Sequence, residues 1–383
     1  LWRISSIFSE VFMAGALDGL RVIDLSRILA GPFASQTLAD MGAYVLKVEH
    51  PLGDDTRRWG PPFVQRANQS VDAAYFFCCN RNKTSLCVDF TNPDDCAQLI
   101  EQTKAADVLI ENYKVGGLKQ YGLDYASMRA LNPRLIYCSI TGFGQTGPYK
   151  NRPGYDALIQ GMGGLMSITG EADGAPQKVG VAVVDLMTGL YASTAILAAL
   201  HHVRMTGQGQ HIDLALFDVQ AAMLANQAAS YLASGVVPMR KGSSHPSIAP
   251  YQPIQVRDGF VMLAVGNERQ FKALCEAIER VDLMKDARFC NNEVRVLHRV
   301  ELENILTQAM HWRTIDEWTQ IGAQGGFPCG PINTIDKVLS DPQIIARNMV
   351  ITNADGVQMV ANPIRFSATP IETYVSPPTL NQG

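Results

Sequence analysis

The feature that most constrains the fold is an alternation of short apolar runs with helical ones along the first half of the chain. "LRVIDLS" (20–26) is continuous enough in apolar residues to be a strand buried on both faces. The turn "AGP" follows, with Pro32 suited to a first helical position, and "FASQTLADMGA" then carries helical spacing as far as Gly42. "YVLKVEH" (44–50) is a second strand. Strand, helix and strand at this spacing make a βαβ unit, which requires parallel strands with the helix crossing one face. The rhythm continues with a strand at 84–90 and a helix over "NPDDCAQLIEQTKA" that Asn92 and Pro93 start. Further strands follow at 107–113 and 134–144. The fold class is α/β, with a large doubly wound, Rossmann-like parallel sheet.

In such sheets, ligands bind outside the carboxyl ends of the strands. Those ends read "SRILAGP", "KVEHP", "ENYKVGG" and "SITGFGQTGPY", rich in Gly, Asn and polar residues, and a cofactor crevice is expected there. No GxGxxG follows the first strand, which tells against a nicotinamide dehydrogenase.

The second half changes character. A long helix is expected over 186–204, a half-buried strand over 211–218 and a further helix over 218–234. The stretch 234–253 is rich in Gly, Ser and Pro and reads as a long functional or inter-domain loop. "GFVMLAVG" (259–266) and the helices after it suit a smaller α+β domain, which the chain leaves near "GGFPCGPIN" (325–333). The expected division is a large domain over 13–230, a small one over 231–335, and a segment, 336–383, that returns to the large domain.

Composition removes several functions. The net charge is −4 and no segment carries a basic stripe, so nucleic acid is not expected as a partner. The longest apolar run, 180–203, is interrupted by Asp185 and two glycines, so no membrane span is expected. The eight cysteines form no CxxC pair, which disfavours zinc ribbons and thioredoxin-type chemistry and suits free thiols in a reducing, cytoplasmic compartment. Residues 1–12, "LWRISSIFSEVF", precede "MAGALDGLRVIDLS" and are read as outside the fold. A short targeting peptide, and with it a mitochondrial matrix location, is the rival reading.

Asp185 stands alone in "GVAVVDLMTGLYASTAILAALHHV" (180–203). Three roles compete: a helix N-cap, a buried structural carboxylate, and a catalytic one. At a helix N-terminus it would face free N–H groups and the positive end of the dipole, which would keep it ionised as a nucleophile must be. Capping and catalysis are compatible, and the pattern alone does not choose.

An ordered set of motifs runs from about residue 18 to the C-terminus. It includes "VIDLSRILAGPFASQTLADMGAYVLKVEHP", "GDDTR" (53–57), "NRNKTSLCVDF" (80–90), "DVLIENY", "CSITGFGQTGPY", "RPGYDALIQGMGGLMSITG", "VGVAVVDLMTGLYA" and "GPINTIDKVLSDPQ". In this set the chain resembles the class III CoA-transferases. The resemblance implies that Asp185 is the nucleophile, taking the acyl group and then CoA itself in covalent form. Substrates would be CoA thioesters and carboxylic acids, with no permanently bound cofactor and no metal. It also implies CoA contacts at Ile28, Leu29 and Ala30, at His50, at Asn80, Asn82 and Lys83, and at Asn112, Tyr113 and Lys114. The implied assembly is an intertwined, ring-like homodimer.

Departures narrow the activity. Formyl-CoA transferases carry a glutamine where this chain has Leu29, and a glycine run where it has "GSSHPSIAPYQP", so formate and oxalate are disfavoured. The related α-methylacyl-CoA racemases carry a histidine at the position of Tyr155, and tyrosine is a weak base at neutral pH. The resemblance is to the subgroup that uses succinyl-CoA and dicarboxylate acceptors. A second carboxylate needs donors, and Arg240, Ser243, Ser244 and His245 are the candidates, with the loop around 242–249 and backbone N–H groups stabilising the oxyanion. The alternatives are a racemase or isomerase of the same family and a non-catalytic CoA-binding protein.

Overall fold

Six of the expected apolar runs form one parallel sheet in the computed structural model, which describes residues 15–66 and 69–381. Residues 1–12, read from the sequence as outside the fold, lie outside the described residues. The strands are β1 (Arg21–Asp24), β2 (Tyr44–Glu49), β3 (Thr84–Cys87), β4 (Val108–Glu111), β5 (Ile136–Thr141) and β6 (His211–Ala215). Their order is β3-β2-β1-β4-β5-β6, with Val22 opposite Val45 on one side and Val108 on the other. Every pairing is parallel, as crossover helices demand.

Four helices bear on the site: α1 (Ala30–Asp40), α2 (Asp156–Met162), α3 (Val183–Thr206) and α4 (Leu216–Met223). α1 starts two residues before Pro32, so the proline occupies the third position. Its missing N–H costs nothing there, because first-turn N–H groups have no intrahelical partner. α3 starts three residues earlier than the spacing suggested, which puts Asp185 inside its first turn. It ends at Gly207, whose left-handed φ of 73° is the usual helix stop. The helix expected over 218–234 is two, Leu216–Met223 and Ala225–Ser234, broken where Ala225 takes φ 42°.

α3 is apolar on two sides. Ala192, Ile196, Ala199 and Val203 form one stripe and share a core with Ala34 and Leu38 of α1 and with Val22, Val108 and Ile136 of the sheet. Leu190, Leu197 and Met205 are exposed on another face. At 24 residues, α3 is long and apolar enough to cross a membrane, which the sequence alone did not lead one to expect. The difference arises because Asp185 lies at the helix end and does not interrupt it. Gly189 lets α1 approach: a Cβ there would stand 2.7 Å from the Ala30 carbonyl oxygen.

The chain forms two compact units. The first takes residues up to Leu165, Lys178–Ser234 and Pro342 onward; the second takes Met166–Gln177 and Gly235–Asp341. Met166–Gln177 thus leaves the stretch expected to belong to the large domain. Within the second unit, Arg240 ties it in, donating from Nε to the Glu171 carbonyl (3.2 Å) and from Nη2 to that of Gly174 (2.9 Å). This unit has a three-stranded antiparallel sheet of β7 (Tyr251–Val256), β8 (Gly259–Ala264) and β9 (Cys329–Pro331), with β8 central. β7 begins inside the stretch read as loop. Pro253 obscured it, and an edge strand tolerates that residue. Val261, Leu263, Phe271, Leu274 and Trp318 build its core, and the Trp318 indole donates to the Met310 carbonyl at 2.8 Å.

Candidate active site

The carboxyl ends of β1, β4 and β5 open onto a cavity of about 610 Å³, lined by residues of the first unit. It lies beside the switch point, where β1 has β2 on one side and β4 on the other. Arg27–Ala30, Asn112–Val115 and Thr141–Gly142 supply the strand-end walls, Asp185 and Leu216 come from α3 and α4, and Tyr155 is the residue before α2.

Asn112 joins the first two walls. Its Oδ1 accepts the Arg27 N–H at 3.0 Å and its Nδ2 donates to the Arg27 carbonyl at 2.7 Å. Ile28 then adopts φ 74°, a left-handed conformation that a β-branched residue resists. Two contacts hold it: its N–H donates to Asp54 Oδ2 at 3.3 Å, and its carbonyl accepts from the Cys79 thiol at 3.5 Å. Asp54 is itself fixed by the buried Lys47 ammonium at 3.0 Å and by the Thr56 hydroxyl at 2.7 Å. The strained turn delivers Leu29 and Ala30, at the N-terminus of α1, to the cavity wall, where the first N–H groups of a helix have no intrahelical acceptor.

Asp185 reaches the cavity from the third position of α3. It is not the cap. Asp156, at the start of α2, caps the helix from outside: its Oδ1 accepts N–H groups from Val184 at 2.8 Å and Asp185 at 3.3 Å. The Gln160 amide steadies Asp156 Oδ2 at 2.6 Å. The expectation that helix N–H groups keep Asp185 ionised is therefore corrected. Burial, then the neighbouring Asp156 charge, push its carboxyl up to about 7.

Ile28, Leu29, Ala30, Asn112, Tyr113, Lys114, Tyr155 and Asp185 share the cavity wall. The other expected contacts lie elsewhere. His50 is exposed in the turn after β2, where its Nδ1 accepts the Leu52 N–H at 3.1 Å. Lys83 is buried under α1, bonded to Asp24 (3.1 Å), the Pro32 carbonyl (2.9 Å) and Asn80 Oδ1 (2.9 Å). Asn80 is buried with it, and its Nδ2 donates to the Phe76 carbonyl. Asn82 ties the C-terminal segment to α1, donating to Asp40 at 2.9 Å and accepting from the Val375 N–H at 2.6 Å. None of the four lines the cavity; Lys83 and Asn80 support the start of α1 from below, because a buried ammonium is held where its carboxylate is.

The second unit holds the remaining candidates. Arg240 has two donors committed to backbone carbonyls. His245 accepts the Ser247 N–H on Nδ1 at 3.1 Å, which places its own proton on Nε2, and its ring packs on Tyr251 with centroids 5.2 Å apart. Ser243 bridges to Lys241, and the Ser244 N–H donates to the Lys241 carbonyl at 3.2 Å.

The cavity also shows residues that sequence reasoning passed over. Arg27, Lys150 and Arg152 join Lys114 as cations on its wall, and Phe90 and Tyr121 pack together there with centroids 5.3 Å apart. Arg27 stood in plain view in "SRILAGP", and Lys150 and Arg152 come just after "GQTGPY". Asp156, next to Tyr155 in "RPGYDALIQ", carries no local sign of its role. Nothing local in the sequence marks Phe90 or Tyr121.

Residues 17–383 match the family model described as CoA-transferase family III. The chain is 50% identical over 373 residues to a protein of Agrobacterium fabrum named succinate–glutarate CoA-transferase, covering 96% of this chain and 93% of that one. It is 39% identical over 371 residues to the human succinyl-CoA:glutarate CoA-transferase, covering 96% and 84%. The crystal structure of a CaiB/BaiF family protein from Brucella suis is similar with a TM-score of 0.88 at 50% identity, over 97% of each chain.

Proposed function

This chain belongs to CoA-transferase family III, and from that premise we propose that it moves CoA from succinyl-CoA to a dicarboxylic acid of glutarate type, through covalent intermediates on Asp185. The observation that carries this reading is the placing of Asp185 on the same cavity wall as the α1 N-terminus and the Asn112–Lys114 loop. The relatives from Agrobacterium fabrum and human act on succinate and glutarate by their names.

The chemistry stems from the carboxylate. Ionised Asp185 attacks the thioester carbonyl, CoA leaves as thiolate, and an acyl-aspartyl anhydride forms. The thiolate attacks the aspartyl carbon of that anhydride, releasing the donor acid and leaving an aspartyl-CoA thioester. The acceptor carboxylate attacks this thioester, CoA leaves again, and the second anhydride passes its acyl group to the thiolate, restoring Asp185. A carboxylate that titrates near 7 is a stronger nucleophile once ionised than an ordinary aspartate, yet about half of it is ionised at neutral pH. The anhydrides require exclusion of water. Backbone N–H groups at the α1 N-terminus suit an oxyanion or the CoA diphosphate, and Arg27, Lys114, Lys150 and Arg152 suit the phosphates.

The functional assembly we propose is an intertwined homodimer. The apolar face of α3 that carries Leu190, Leu197 and Met205 supports it, being a surface a second copy would cover. Free thiols at all eight cysteines suit a reducing compartment such as the cytoplasm.

The test is incubation with succinyl-CoA and a pool of carboxylates, with mass spectrometry of the CoA esters and Asp185→Ala in parallel. Glutaryl-CoA formed by the native chain and absent with the variant is the expected result. No new ester from any acid, with solvent deuterium entering the α-carbon of a branched acyl-CoA, would replace this reading with a racemase.

A further inference from the structure

The strand that leads into one cavity wall ends on a buried acid that the chemistry proposed for Asp185 does not use. Glu111 is the last residue of β4 and is 6% exposed. A buried carboxyl is costly unless its oxygens are bonded. Among the described residues no ion pair includes Glu111, so no cation offsets that cost. Its partners are hydrogen-bond donors. Oε2 accepts the N–H of Tyr113, two residues on, at 2.7 Å. The side chain thus closes the backbone on itself where the strand becomes the Asn112–Lys114 loop, as an aspartate does in an Asx turn. Ser139 is its register partner on β5, and the Ser139 Oγ meets His211 Nε2 at 2.9 Å.

Glu111 does not line the cavity, but the three residues after it do, with Arg27 and Phe90. Tyr113 connects these groups. Its ring lies against Phe90 with centroids 5.8 Å apart, and the Arg27 guanidinium stands 5.6 Å from the ring centre. The other two loop residues are held from elsewhere. Asn112 bonds both main-chain groups of Arg27, and the Lys114 carbonyl accepts the Gly117 N–H at 2.7 Å. The main chain of Tyr113 is held by Glu111. We propose that Glu111 is a positioning residue for CoA: by accepting the Tyr113 N–H it sets where Tyr113, and with it Arg27 and Lys114, stand on the wall, without touching the ligand. The proposal rests on the reading of this cavity as the acyl-CoA site. The role belongs to an acceptor oxygen and not to a negative charge, because a neutral carboxyl or an amide keeps the oxygen that the Tyr113 N–H needs.

The test measures CoA binding by calorimetry, transfer kinetics, and amide hydrogen exchange of the 112–117 loop in the full chain and two variants. Glu111→Leu removes the acceptor and keeps the buried site filled. Its Kd for CoA and KM for the acyl-CoA should rise roughly tenfold, the worth of one buried hydrogen bond, with kcat unchanged. The Tyr113 amide should exchange faster by about the same factor. Glu111→Gln keeps the acceptor, so it should bind CoA within about twofold of the native chain and retain slow exchange. Native affinity in Glu111→Leu, or binding by Glu111→Gln as weak as that of Glu111→Leu, would overturn the proposal. So would a fall in kcat at unchanged KM. Should Glu111→Leu fail to fold, the other two chains decide. Weak CoA binding by Glu111→Gln, or a native Tyr113 amide that exchanges as fast as an unprotected one, would sink it. Binding and exchange are read without turnover. A chain that shows all the expected changes yet makes no glutaryl-CoA would leave the role of Glu111 standing and overturn only the transfer reaction.

Discussion

The carboxyl of Asp156 does two things at once. It caps α3 through two backbone N–H groups, and its charge disfavours ionisation of Asp185. That charge fixes the sign of the pH dependence. Asp185 must be ionised to attack, so kcat/KM should rise with pH through about 7 and level above it. Glu111, which accepts the Tyr113 N–H at 2.7 Å, is pushed up to about 7 by burial and titrates in the same range. Asp156→Asn separates the two. It keeps a capping oxygen and removes the charge, so the acid limb should move to lower pH, whereas a limb set by Glu111 would stay. Asp156→Ala should shift the limb too and cost about 1 kcal/mol in urea denaturation through the lost cap. Stability has the opposite trend. A carboxyl raised in the folded state favours folding fully below its unfolded value of about 4, and that advantage is lost as pH rises through about 7. The cavity cations act on binding. Lys114→Ala and Arg152→Ala should each raise KM for the acyl-CoA by roughly fivefold, about 1 kcal/mol at exposed positions, with kcat unchanged.

Between elements, the contact that sets the site is α1 against α3. Both helices point their N-termini at the cavity, and Gly189 allows the approach one turn after Asp185. Gly189→Val would place its side chain against the Ala30 carbonyl and Phe33, whose atoms stand 2.7 and 3.2 Å from a Cβ. The expected result is a loss of about 1–3 kcal/mol in urea denaturation. Weaker CoA binding by calorimetry should accompany it, because Ala30 lies on the cavity wall. Wild-type CoA affinity in this variant would show that α1 moves without carrying its N-terminus. Below α1, the Asp24–Lys83 and Lys47–Asp54 pairs are fully buried at their side chains and anchor the turn from Ser26 to Ala30. Lys83 and Asn80, expected at the ligand, are thus foundations of the loop that meets it.

At the scale of the molecule, α3 serves the core with one stripe and leaves an apolar face outside. Sedimentation velocity should give a dimer, and Leu197→Asp should shift it toward monomer; a native monomer at micromolar concentration would remove the homodimer proposal. Much of the architecture was legible in the linear chain. Apolar runs alternating with helical ones point to a parallel α/β sheet, and period and spacing are local properties that survive without a structure. The strand-end walls, with Arg27–Ala30 and Asn112–Lys114, followed from that topology, and Asp185 was conspicuous as one charge in an apolar run. Tertiary structure decided the rest. Whether Lys83 meets a ligand or Asp24, and whether Asp185 or Asp156 caps α3, depends on residues 59 and 29 positions apart in the chain. Charges and hydrogen bonds act through space over a few ångströms, so the ionisation of Asp185, the partner of Cys79 and the membership of the cavity wall exist only once the chain has brought those atoms together.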